Sequence, residues 1–183
     1  MELFVSCSSN LVIDYKKILG RIVHTELSQL LSLIIIANGT PIVLRVLLNN
    51  RFDTAVDFGH RLPDNRPVFG NSKTWRGIFA SLITTSTAAW LLGHSLNTGL
   101  LVATYVVIGD LTSSFIKRRM GKPASSKAPL LDQIPESLFP SLMMMQTFKL
   151  DIYDVIQIVL IFIIIELLLS HVLYKWGIRK HPY

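Results

Sequence analysis

The chain has little of what a soluble enzyme uses. Its single cysteine, Cys7, excludes an intramolecular disulfide and leaves the redox compartment unreadable. Five histidines, at 24, 60, 94, 171 and 181, keep no metal-ligand spacing, so none is assigned to a metal or to catalysis. Charged residues make up only 16% of the sequence, too sparse for an ordinary globular surface. No P-loop glycine spacing occurs. Asp57-Phe58-Gly59 matches a kinase metal motif only in isolation, with no soluble kinase domain around it.

What the chain has is apolar length. Half of its 183 residues are hydrophobic, and they come in blocks; the run 158–169 contains one acid, Glu166. A helix needs about 20 mostly apolar residues to cross a hydrocarbon layer of roughly 30 Å. Five stretches approach that: 27–48, 77–93, 98–116, 134–148 and 152–173. The fourth is the weakest, being short and carrying Pro135, Glu136 and Pro140. The pattern predicts an all-α, polytopic membrane protein with about five transmembrane helices and two cytoplasmic loops. One membrane-embedded catalytic domain, 27–174, is expected between an N-terminal extension, 1–26, of unassigned order and a basic cytoplasmic tail, 175–183.

Orientation follows from where the cations fall. Of 18 Lys and Arg residues, fourteen lie in or beside the loop after the first span, the loop after the third, or the tail. The opposite side has only Lys16, Lys17, Arg21 and Lys149. The positive-inside rule then predicts a multi-pass protein of the cell membrane with both large loops in the cytoplasm.

Polar groups interrupt the spans at specific places. Ala37-Asn38-Gly39-Thr40-Pro41 breaks the first, either as a simple kink or as a break lining a substrate cavity. Asp110 ends an apolar run, and a carboxylate there needs a partner, a metal or water. Helical spacing puts Asp110, Ser113, Ser114 and Lys117 on one face, an acid, hydroxyls and a cation suited to Mg²⁺ and phosphate together. Asp132 enters the fourth span at the same depth, where it either caps the helix or joins Asp110 on a hard cation. In the loop, Phe69-Gly70-Asn71-Ser72-Lys73-Thr74-Trp75-Arg76-Gly77 combines close backbone approach with phosphate donors at a helix start. Trp75 there is either an interfacial anchor or a surface for base stacking.

Three stretches together resemble CDP-archaeol synthase, the archaeal-type branch of the CTP-dependent phosphatidate cytidylyltransferases. They are Ala37-Asn38-x-x-Pro41, the Asp57 to Gly77 loop, and Gly109-Asp110-Leu111 through Lys117-Arg118-Arg119 to Leu131-Asp132-Gln133. The resemblance implies Mg²⁺-dependent transfer of CMP from CTP to an unsaturated archaeal ether-lipid phosphate, releasing pyrophosphate. On that reading Asp110 and Asp132 hold the metal and act with Lys117 and Arg118 in catalysis, while Asn38, Lys73, Thr74, Arg76, Ser114 and Arg119 bind substrate. Two departures stand out: Pro135 where the family pattern has an acid, with Glu136 beside it, and Asn71 where it has Asp.

Two rival readings exist. A CDP-alcohol phosphotransferase requires an Asp-Gly-x-x-Ala-Arg run, which is missing. A small carrier, channel or assembly subunit accounts for the intramembrane acids but leaves the glycine-rich basic loop without a purpose. No nucleic-acid partner is expected, and the sequence leaves the oligomeric state open.

Overall fold

The structure, a computed structural model, describes residues 25–49, 51–123 and 130–175. The expected extension up to residue 24, Cys7, Lys127 and the tail beyond Lys175 therefore lie outside the described residues. Five helices follow in order: α1 (Thr25–Leu48), α2 (Trp75–Leu91), α3 (Leu96–Arg119), α4 (Gln133–Met143) and α5 (Ile152–Lys175). No strand occurs among the described residues, and the long α1–α2 loop holds only isolated bridges, Ala55 with Thr74 and Arg61 with Pro67.

Three of the helices, α1, α3 and α5, are long and apolar enough to cross a membrane. The protein is a multi-pass membrane protein. With 17 residues, α2 rises about 26 Å, close to the hydrocarbon thickness. The fourth stretch differs from a full span: α4 stops after 11 residues, about 16 Å, and turns carry the chain on to Lys149. Such a half-helix is tolerated at membrane depth when protein surrounds it. Here α4 packs heavily on α3 and also on α5.

The core sits where α1 meets α3 and the end of the bundle. Leu27, Leu30, Ile34 and Ala37 recur at helical spacing on one face of α1 and meet Val102, Val106, Phe148, Ile158 and Phe162. Large apolar side chains such as Leu47, Ile83, Leu160, Ile164 and Leu168 point outward instead, as a lipid-facing surface requires.

Where a break was expected, α1 runs on as a continuous helix with Pro41 inside it. Pro41 has no N–H to offer the Ala37 carbonyl, and Ser81 Oγ of α2 takes that carbonyl at 2.8 Å. The proline ring also packs against Gly77, where a Cβ would lie 3.3 Å from Pro41 Cβ. Thr40 and Thr84 hydroxyls meet 2.9 Å apart on the same seam. The small and hydroxylated residues of α2 thus keep it tight against α1 around Pro41.

Candidate active site

The α1–α2 loop is organised by Asp57. Its carboxylate accepts hydrogen bonds from the backbone N–H of Gly59 at 3.1 Å, Phe69 at 2.9 Å and Gly70 at 2.8 Å. Burial works to raise its pKa, but these donors outweigh it and hold the carboxyl below the usual range. Gly70, at φ +89°, turns the chain in a way that a side chain would oppose. Lys73 follows with its backbone fixed on both sides: its N–H donates to Gly70 O, and its carbonyl accepts from Val56 N. Thr74 then caps α2, its Oγ1 accepting from Gly77 N at 3.4 Å.

From this frame the Lys73 ammonium reaches across to Asp110 on α3, forming an ion pair. Burial pulls the Lys73 amine down, yet the carboxylates of Asp110, Glu136 and Asp132 outweigh it and raise its pKa. On the same face of α3, Ser113, Ser114 and Lys117 are all buried, as their helical spacing predicts, and Ser113 Oγ donates to Asp110 O at 2.9 Å.

Helix α4 brings two acids to that face. Asp132 stands at its N-terminal end with helical backbone and no capping hydrogen bond, so the capping alternative does not hold. The side-chain partner at this turn is Gln133, whose Oε1 accepts from Leu130 N at 2.7 Å. Asp132 Oδ1 instead meets Lys117 Nζ at 2.7 Å; this is a charge contact outside hydrogen-bonding angles. One turn on, Glu136 is buried, with its carboxyl beside that of Asp110.

The close approach of α4 depends on Gly109. A Cβ there would collide with the Pro135 carbonyl and come within 2.9 Å of Glu136 Cα. Asp110 and Glu136 can touch because the residue before Asp110 has no side chain. The sequence names Gly109 only within the stretch that carries the family resemblance; a small residue beside an intramembrane acid is the signal for its packing role.

The remaining expected residues lie around the site or turn away from it. Arg118 is buried beside the site and donates to the Lys122 carbonyl, with Nε lacking a hydrogen-bond partner among the described residues. Asn38 Nδ2 is likewise buried without such a partner in α1. Arg76 turns away, pairing with Asp53 at 3.0 Å and donating to Arg51 O. Arg119 turns to the loop residues Asp64, Arg66 and Pro67. Their guanidinium groups are thus occupied by protein acceptors rather than gathered with Lys73 and Lys117. Trp75 stacks on Phe79 at 5.9 Å and leans on Phe58 at 6.3 Å in an exposed aromatic row.

The acids fit a cation shared with substrate. An ammonium is already lodged on Asp110, with a second carboxyl, Glu136, close beside it. No group of three His, Cys, Asp or Glu side chains suited to hold an ion occurs among the described residues, so a closed cage is absent there. Mg²⁺ does not require one, since it takes one or two carboxylates and fills its shell with water and phosphate oxygens. Asp110 and Asp132 face one cationic loop from two helices, each paired here with a lysine.

The sequence model of CarS-like CDP-archaeol synthases matches residues 86–183, more than half of the chain. The CDP-archaeol synthase of Pyrobaculum calidifontis is 31% identical over 170 residues, covering 86% of this chain and 99% of that protein. The chain belongs to the CDP-archaeol synthase family. Within that family, the synthase of Hyperthermus butylicus is 34% identical over 118 residues, 60% of this chain and 67% of its own. That of Sulfolobus acidocaldarius is 29% identical over 136 residues, 71% of this chain and 83% of its own. A solved structure, described as that of an intramembrane enzyme for archaeal membrane lipids biosynthesis, superposes with a TM-score of 0.64 at 24% identity. It covers 75% of this chain and 90% of its own, and establishes the all-helical membrane fold.

Proposed function

We propose that this member of the CDP-archaeol synthase family transfers CMP from CTP to a lipid phosphate, giving a CDP-lipid and pyrophosphate. Family membership supports a CTP-dependent cytidylyltransferase of lipid synthesis. The lipid favoured by the reading is an unsaturated archaeal ether-lipid phosphate. The observation that carries the proposal is the pairing of Lys73 with Asp110 and Lys117 with Asp132, from a loop and two helices, at one partly buried place.

In the reaction an oxygen of the lipid phosphate forms a bond to the α-phosphorus of CTP. The bond from that phosphorus to the bridging oxygen breaks, and pyrophosphate leaves with the electron pair. The nucleophile is already ionised, so no base is needed. Such chemistry depends on positioning and charge neutralisation.

Lys73 and Lys117 are the cations placed to exchange their carboxylate partners for phosphate oxygens. Arg118 adds a buried guanidinium beside them, and Ser114 and Thr74 stand nearby as hydroxyl donors. Asn38 offers a buried amide from α1. Asp110 and Asp132 would hold Mg²⁺, with Glu136 supporting Asp110. When bound, the cation supplies neutralising charge for the triphosphate and the leaving pyrophosphate. The 49–74 loop and the α3–α4 loop would face the cytoplasm, where CTP is found, with the bundle in the cell membrane.

Purified protein incubated with labelled CTP and a panel of lipid phosphates tests the reading. Label in the organic extract, matched by released pyrophosphate, is the expected result. Release of pyrophosphate without lipid labelling across the panel would remove the lipid acceptor from the proposal.

A further inference from the structure

The turn at 61–67 has its own internal framework. Arg61 pairs with Pro67, Leu62 N donates to Arg66 O at 3.0 Å, and Arg66 N donates to Asp64 Oδ1 at 3.1 Å. At its tip Asn65 takes φ 61°, a left-handed conformation that asparagine tolerates.

The last residue of α3 grips this turn. Arg119 Nη1 meets Asp64 Oδ2 at 2.5 Å, and its Nη2 donates to Pro67 O at 2.6 Å and Arg66 O at 3.3 Å. Arg66 answers by donating to the Arg119 carbonyl, one of the four that a helix end leaves without a partner. The Phe115 ring lies under the Arg119 guanidinium at 5.3 Å. Gly121, at φ +75°, leaves room for Arg66; a Cβ there would stand 3.3 Å from its Nη2.

An exposed ion pair alone contributes little. Two interlocked guanidinium groups bonded to opposing carbonyls are different, because their forked geometry fixes orientation. From Pro67 the chain passes directly to Phe69 and Gly70, which Asp57 holds, and then to Lys73. Helix α3 is therefore held by the same loop at two places, Asp110 and Arg119.

We propose that Arg119 is a positioning residue: with Asp64 and Arg66 it latches the 61–67 turn to α3 and so sets Lys73 against Asp110. The inference rests on reading that pair as part of the transfer site. It moves Arg119 from the substrate to the frame that presents it.

Asp64 supplies the discriminating variant, since it is exposed and the transfer reading gives it no contact with substrate. Asp64→Ala and Arg119→Lys should each lower kcat by roughly five- to thirtyfold, with the KM for CTP little changed. The double variant should fall no further than the worse single one, as coupled residues behave. A phosphate ligand at 119 would instead raise the KM in Arg119→Lys and leave Asp64→Ala near normal, and either result would overturn the latch. A second readout needs no turnover: acylation of the Lys73 amine, followed by peptide mass, should run faster in Asp64→Ala than in the native protein. Unchanged Lys73 labelling refutes the latch even if the enzyme proves inactive on every lipid tried. Faster labelling without activity would leave the latch standing and count against the transferase reading.

Discussion

Asp132 heads α4 without capping it, and its Oδ1 meets Lys117 Nζ of α3 at 2.7 Å. A capping role would have made this acid a local feature of one helix. The ion pair makes it part of a site shared by two helices, with Lys73 and Asp110 forming the second pair alongside.

Asp110→Asn and Asp132→Asn keep shape and remove charge. Each is expected to lower turnover about a hundredfold, the scale of one strong transition-state contact. Excess Mg²⁺ should rescue neither fully. Turnover and thermal stability measured on the same purified variants decide the matter. A variant that is less stable but turns over normally while folded would take its residue out of the site.

Gly109→Ala should be far worse than its single methyl suggests. The added carbon meets the Pro135 carbonyl, so α4 must move away and separate Glu136 from Asp110. Overpacking of this kind costs about 1–3 kcal/mol. Gly39→Ala is the control, since nothing lies within 4 Å of a Cβ there. Within α1 it should stabilise by roughly 0.5–1 kcal/mol. Thermal unfolding in detergent with parallel activity assays would show this opposition, and equal behaviour of the two alanines would refute it.

Asp57 gives the loop an acid sensitivity of definite sign. Its folded pKa lies below the unfolded value of 3.8, so its carboxylate stabilises the loop fully above that pH. The contribution fades as pH falls through the lower folded value. Asp57→Ala removes the acceptor for three backbone donors and should cost roughly 2 kcal/mol or more at neutral pH. The gap between native and variant stability should narrow as the solution is acidified below pH 4. A gap that widened instead would contradict the assigned sign.

Topology is open to direct labelling. In a Cys7→Ser background, Pro63→Cys in the loop before α2 and Leu96→Cys at the start of α3 place thiols at exposed sites on either side of α2. An impermeant reagent on intact cells should label position 96 and spare position 63. The reverse pattern would turn the site away from cytoplasmic CTP.

Much of this was legible in the sequence where the signal is local. The apolar runs located α1, α2, α3 and α5 to within a few residues, and helical spacing put Ser113, Ser114 and Lys117 on one buried face. The fourth run misled, because hydrophobicity through Phe148 says nothing of where α4 ends, at Met143. The partners of Arg76 and Arg119 were not legible either. A cation near a glycine-rich loop looks the same whether it waits for phosphate or already holds Asp53 or Asp64. Spacing reports which residues share a face, and contacts between distant segments leave no such period. Glu136 was visible only as an acid one position out of pattern, and the fold gave it a partner in Asp110.

The hydroxyl of Ser81 on the Ala37 carbonyl bears on how the protein is made. Alone in lipid, α1 would carry a bare carbonyl beside Pro41, and such a group costs several kcal/mol in hydrocarbon. The remedy lies on the next helix, across the whole cationic loop. The first two helices are thus expected to settle into the bilayer as a hairpin, with α1 incompletely inserted until α2 arrives. A chain truncated before α2, or one bearing Ser81→Ala, should leave α1 easier to extract from membranes at alkaline pH than in the native chain.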